Sequence, residues 1–146
     1  MNPPRSGLSL GEYRALALFR HLIRRFLAFS RKAASSAGLH PQQHQLLLAL
    51  TGLPSGEIPT IGVLAWHLQM RHQSAVELVD RLSRRGLARR DRNPRDRRQV
   101  LVSITAQGRR KLRELSVQHR EELRKLGPEL LRALQDLFGP NRGRGP

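Results

Sequence analysis

The chain has 146 residues and a mass of 16.6 kDa, with 27 Lys plus Arg against 11 Asp plus Glu and a formal net charge of +16. This length suits one structural unit with a buried core, and the charge calls for a polyanionic partner. With no cysteine, a disulfide frame, a thiolate zinc site and a cysteine redox switch are all excluded. No apolar run approaches the roughly 20 residues of a membrane span. The start "MNPPRSGLSL" lacks the apolar core of a signal peptide, so the expected location is cytoplasmic, without a membrane partner.

Residues 1–9 are expected to be flexible. From Leu10 to about Ala37 the apolar residues Leu10, Tyr13, Leu16, Ala17, Leu22, Ile23, Phe26 and Leu27 recur at three and four, which predicts an amphipathic helix stopped by Gly38. "HPQQHQLLLALTG" restarts a helix with Pro41 in its first turn, closed by Gly52 and the Pro54 and Gly56 loop. In "PTIGVLAWHLQM", Thr60 is a good N-cap and Ile61, Leu64, Ala65 and Leu68 form one narrow apolar face, the pattern of a short helix. After a break near Met70 and Arg71, "HQSAVELVDRLSRRG" predicts another helix. Its apolar arc is Ala75, Val76, Leu78, Val79 and Leu82, with Val76 taken as the centre, and Gly86 is its C′ residue. Two short helices joined by a tight turn suggest a helix-turn-helix.

"RRDRNPRDRRQVLVSIT" follows, with six arginines and two aspartates around one Asn-Pro. Val100, Val102 and Ile104 alternate with Leu101 and Ser103 at the period of a strand, so "LARRDR" and "RQVLVSIT" are expected to flank "NPRD" as a β-hairpin. Thr105 then caps a long helix carrying Leu112, Leu115, Leu123 and Leu126. Gly127-Pro128 is expected to break it, and "PELLRALQDLF" to add a last helix. Residues 139–146, "GPNRGRGP", have no apolar content and are expected to be disordered.

The predicted fold is therefore mainly α with a small β-hairpin wing: a winged helix-turn-helix core at 41–104 flanked by terminal helices at 10–37 and 105–138. These flanking helices carry apolar residues that the small core does not cover, and a twofold homodimer would bury them. At positions 74–108, "SAVELVDRLSRRGLARRDRNPRDRRQVLVSITAQG" resembles the signature of the MarR (multiple-antibiotic-resistance regulator) family. The match comprises V-x-L-V-D-R-L in the recognition helix, Gly-Leu into the first strand, Asp-x-Arg in the wing, and a strand ending in hydrophobic-Thr-x-x-Gly. The resemblance, which runs over about residues 10–138, implies a homodimer built by the first and last two helices. It also implies an inverted-repeat operator in double-stranded DNA, repression, and release by a small-molecule effector. Basic RNA-binding or architectural protein without sequence preference is the alternative.

The candidate contacts follow. The first turn of a recognition helix enters the major groove, which selects His72, Gln73 and Ser74. Gln73 can pair bidentately with adenine, and Ser74 can bond to base or phosphate. Glu77 can accept from cytosine or pair with Arg81, the favoured reading, and Asp80 is expected to pair with Arg84. In a strand, residues two apart share a side, so Asp96 can hold Arg98 while Arg95 and Arg97 point toward the duplex backbone. By resemblance, Arg98 matches the family's minor-groove arginine and Asp96 the residue that positions it. Trp66 lies off the apolar arc of its helix, where it is expected to pack on the first helix or, as the one effector-site candidate, to line a pocket. His40 and His44 lack the carboxylates of a metal site, so neither a metal nor another cofactor is expected. His119 falls on the leucine stripe, where a satisfied interface histidine is the ordinary case. No catalytic motif is present, and the chain is not expected to be an enzyme.

Overall fold

A computed structural model describes residues 7–139, in the order α1 (Leu10–Ser36), α2 (Pro41–Thr51), α3 (Ile61–His67), α4 (His72–Arg84), β1 (Ala88–Asn93), β2 (Asp96–Ile104) and α5 (Ala106–Phe138). Most of the two expected flexible ends, 1–6 and 140–146, lies outside the described residues. The chain divides into two compact units, one of residues 1–30 with 119–146 and the other of residues 31–118. The division falls inside α1 and α5 rather than at their ends.

In the first unit, α1 opens on a capping box that the Ser-x-x-Glu spacing could have revealed. The Ser9 N–H donates to Glu12 Oε2 at 2.7 Å, and the Glu12 N–H donates to Ser9 Oγ at 3.2 Å. Hydrogen bonding of its carboxylate to the Ser9 backbone N–H, and then to the Ser9 hydroxyl, holds the Glu12 carboxyl below its ordinary pKa. Ala15, Leu22, Leu126 and Ala133 are buried. His119 sits edge-on to Phe26 and Phe29, and its Nε2 lies 2.8 Å from Ser30 Oγ. It is thus a satisfied packing histidine.

The expected break at Gly127-Pro128 does not occur, because α5 runs through Pro128 to Phe138. A proline penalises the helical conformation of the residue before it partly through that residue's Cβ, and Gly127 has none. The carbonyl deprived of its N–H partner belongs to Arg124, which is exposed, so water can satisfy it.

In the second unit, the core gathers Leu46 and Leu47 of α2, Leu64 of α3, Ala75, Val79 and Leu82 of α4, Leu87, Val102, and Leu112 and Leu115 of α5. Three helices end in the same way, with a left-handed C′ residue and a six-to-one backbone bond. These pairs are Gly38 (φ 74) with Leu39 N–H donating to Ala34 O, Gly86 (φ 70) with Leu87 N–H to Leu82 O, and Gln69 (φ 51) with Met70 N–H to Ala65 O. The last of these makes the tight turn between α3 and α4, and it places a Cβ-bearing residue where glycine is free of strain. Gln69 is exposed, so Gln69→Gly should stabilise the fold by roughly 0.5–1 kcal/mol. Thermal melts should show a rise of a few degrees, and a fall would show that the glutamine side chain contributes more than its backbone costs.

The buried stripe of α4 is Ala75, Leu78, Val79 and Leu82. Val76 is only half-buried, at the edge of the inward arc rather than its centre, because packing on α2 and β1 selects the stripe nearest Ala75. The hairpin is antiparallel, with Ala88 opposite Ile104 through to Arg92 opposite Val100. Its register then shifts so that Asn93 pairs with Asp96, and Arg97, Arg98 and Gln99 lack partners on β1. A third edge was not anticipated: Val102 N–H donates to Pro59 O at 2.8 Å and Thr60 bridges Leu101. Thr60 also caps α3 as expected, accepting from Val63 N–H at 3.2 Å.

Candidate nucleic-acid interface

Helix α4 has to bury its apolar stripe, which leaves His72, Gln73, Ser74, Glu77, Arg81 and Arg84 exposed on the opposite side. The two expected ion pairs along this helix are not the ones formed. Asp80 binds Arg90 of β1 instead of Arg84, because the hairpin brings a cation to the flank of α4. No ion pair joins Glu77 to Arg81 among the described residues, so the Glu77 carboxylate is turned to solvent.

The wing is built by two asparagine-like turns. Asn93, itself buried, accepts from Arg95 N–H at 3.0 Å and donates Nδ2–H to Gln99 Oε1 at 3.0 Å. Asp96 Oδ1 accepts from Arg98 N–H at 3.1 Å and lies 3.6 Å from Arg98 Nε. Asp96 and Arg98 are thus in contact, but in a bulge rather than on one face of a regular strand. The Arg98 side chain is 95% exposed, so its ion pair adds little. The backbone hydrogen bond is the part that shapes the tip. Arg95, Arg97 and Arg98 all project into solvent.

The hairpin and the helix-turn-helix meet in a cleft of about 250 Å³ lined by Thr60, Ile61, Gly62, His72, Arg98, Gln99 and Val100. The first residue of α4 and the wing arginine therefore share one concavity. Gln73, Ser74 and Glu77 continue from it along α4, and Arg95 and Arg97 along the wing. Gly62, Thr60 and Gln99 were not foreseen, since they join the cleft only through the third edge and the bulge. Trp66 is outside it. The indole is 75% exposed and meets the His67 ring edge-on, with centroids 5.0 Å apart. At this exposure the packing expected of it against a neighbouring helix does not cover the side chain. Among the described residues no acid and histidine cluster could hold a metal, and no helix is long and apolar enough to cross a membrane.

Helix-turn-helix, two-stranded wing and shared cleft define a winged helix-turn-helix domain with an exposed, arginine-rich surface. The model of the MarR family matches residues 37–99, from α2 through the first residues of β2. YcgE of Bacillus subtilis (strain 168), an uncharacterised HTH-type transcriptional regulator, is 35% identical over 102 residues, which is 65% of this chain and 60% of YcgE's own length. Among solved structures, AbsC, a MarR family transcriptional regulator from Streptomyces coelicolor, superposes with a TM-score of 0.71 at 21% identity over 92% of this chain and 93% of its own. The S. aureus MepR–DNA complex gives 0.65 at 18% identity over 85% and 86%. CouR from Rhodococcus jostii RHA1, bound to p-coumaroyl-CoA, gives 0.62 at 22% identity over 87% and 93%. Residues 37–99 thus match the MarR family model, and the chain shares the fold of solved MarR family regulators; members of that family are transcriptional regulators and not enzymes.

Proposed function

We propose that the protein is a cytoplasmic transcriptional repressor that binds an inverted repeat in double-stranded DNA as a homodimer. The observation that carries this reading is the cleft shared by His72 and Arg98, which lets one duplex engage α4 and the wing together. A recognition helix in the major groove with an arginine directed at the adjacent minor groove is a geometry that reads sequence, whereas a mobile charged loop supplies only salt-sensitive affinity. The similarity to MepR, solved with DNA, agrees with it.

Support for the homodimer comes from the terminal helices. Leu10, Tyr13, Leu16 and Leu27 of α1 and Leu123, Leu131 and Phe138 of α5 are exposed. Side chains of this kind along helices that already bury Leu22 and Leu126 favour a second copy as their cover. A small-molecule effector is the further element of this reading, by likeness to CouR with its bound ligand. An open cavity of about 830 Å³ between the end of α2, the loop at 52–59 and the start of α5 offers room for one.

Selection of bound fragments from random duplex DNA tests the reading. The expected product is an inverted repeat with half-sites separated by about one helical turn, roughly 10 base pairs. Failure to enrich any sequence, with equal affinity for structured RNA, would replace the repressor by a basic protein without sequence preference.

A further inference from the structure

We propose that Trp66 is a contact to the duplex backbone, with its indole ring lying against deoxyribose and its ring N–H donated to a phosphate oxygen. The inference rests on the DNA reading above and extends it to a residue outside the helix and wing that carry that reading.

Position supplies the first argument. Gly62 and Trp66 are four residues apart on α3 and so lie on the same helical face. Gly62 lines the cleft shared with His72 and Arg98, and it also lines a shallow depression of about 330 Å³ formed with Glu57, Val63 and Trp66. The surface is therefore continuous from wing and recognition helix to the indole. Gly62 has no side chain to stand between the two depressions, and a Cβ there would meet only Thr60 Oγ1, at 3.9 Å.

Chemistry supplies the second. At 75% exposure, the indole leaves a large apolar ring in water that burial against a partner would stabilise. Tryptophan offers one N–H donor and no acceptor, which suits an occupant that is apolar on one side and rich in acceptor oxygens on the other. The deoxyribose-phosphate chain is such a surface, and the paired bases of a duplex leave little else to stack on. The acid at the edge of the depression is already engaged, since Glu57 Oε2 lies 2.7 Å from His67 Nε2. The chain's net charge of +16 favours a polyanion over an acidic-residue-poor protein surface.

Trp66 is the chain's single tryptophan, so emission excited selectively beyond the absorption of Tyr13 reports on this side chain. Titration with a mixed-sequence duplex at low salt should change that emission and shield the indole from acrylamide. Trp66→Ala should lower affinity about tenfold, the loss expected for one charge-assisted hydrogen bond with its packing. That factor should be the same for a selected fragment and for its scrambled counterpart, because sugar and phosphate carry no sequence. Trp66→Phe, which keeps a ring without its donor, should recover only part of the affinity. The ring is exposed, so far-ultraviolet circular dichroism should be unaltered in both variants.

If labelled duplex binds but emission, acrylamide access and the Trp66→Ala affinity stay as they were, the inference is overturned and the indole serves another partner. A loss confined to the selected fragment would overturn it as well, by making Trp66 a sequence reader. Failure of the parent protein to bind any duplex would instead remove the DNA reading itself.

Discussion

Gly108→Ala is expected to lower the melting temperature by roughly 10 °C or more, the equivalent of about 3 kcal/mol. Helix propensity alone gives the opposite sign, since alanine in a helix interior is favoured over glycine by about 1 kcal/mol. The tertiary contact decides. A Cβ built on Gly108 would stand 2.1 Å from the Leu87 carbonyl oxygen and 2.9 Å from Ile104 Cγ1. That carbonyl cannot retreat cheaply, because it accepts from Thr105 N–H at 3.2 Å and the Leu87 side chain is buried. Thr105 is tied to the same point: its hydroxyl donates to Gly86 O at 2.6 Å and accepts from Gly108 N–H at 3.0 Å. The Thr-x-x-Gly spacing is thus the joint by which α5 is seated on the turn after α4. Gly11→Ala is the control, since a Cβ there would lie 3.8 Å from Ser9 Oγ and should leave stability unchanged or slightly raised. Circular dichroism melts of the two variants check the pair. A Gly108→Ala protein melting at or above the parent would show that this approach is not required.

The second large effect is expected at the wing. Asp96→Ala should weaken binding to a selected operator about tenfold although it removes a negative charge from the loop proposed to meet DNA. If charge alone governed the wing, the same change should tighten binding, because removing an acid beside phosphates favours association. Asp96→Asn separates the causes. An amide oxygen can still accept from the Arg98 N–H, so the turn survives while the charge does not. Affinity close to that of the parent is expected for Asp96→Asn, which would assign the effect to the backbone hydrogen bond rather than to the solvent-facing ion pair. Arg98→Ala should lose most on operators with A·T-rich flanks, where a narrow minor groove attracts a guanidinium. Arg97→Ala should weaken all duplexes about equally and reduce the salt slope by about one unit. Anisotropy titrations at matched salt on operator and scrambled duplex distinguish these outcomes. Tighter operator binding by Asp96→Ala would sink the positioning role.

Most of the secondary structure was legible because local signals agreed with one another. Pro41 at a helix start, Thr60 as a cap and Gly38 and Gly86 as left-handed stops act within a few residues of themselves, so the chain's order announces them. The alternation through Val100, Val102 and Ile104 identified β2 for the same reason. The hairpin loop is shorter than "NPRD", with Asn93 and Asp96 in the strands, and the helix boundary at Gly127-Pro128 fails because glycine removes the Cβ that would force the helix to end.

By itself, the sequence determined the winged helix-turn-helix layout, the exposed face of α4 and the basic character of the wing, since each depends on periodicity or composition along a single element. Only the tertiary structure decided which charges meet. Asp80 binds Arg90 and not Arg84 because a strand docks beside α4, and no spacing within a helix can express the position of another element. The same holds for the bulge that unpairs Arg97, Arg98 and Gln99 and for the cleft that joins His72 to Arg98. Register and docking are set by where buried side chains find mutual cover, a property of the packed core and not of any local run of residues.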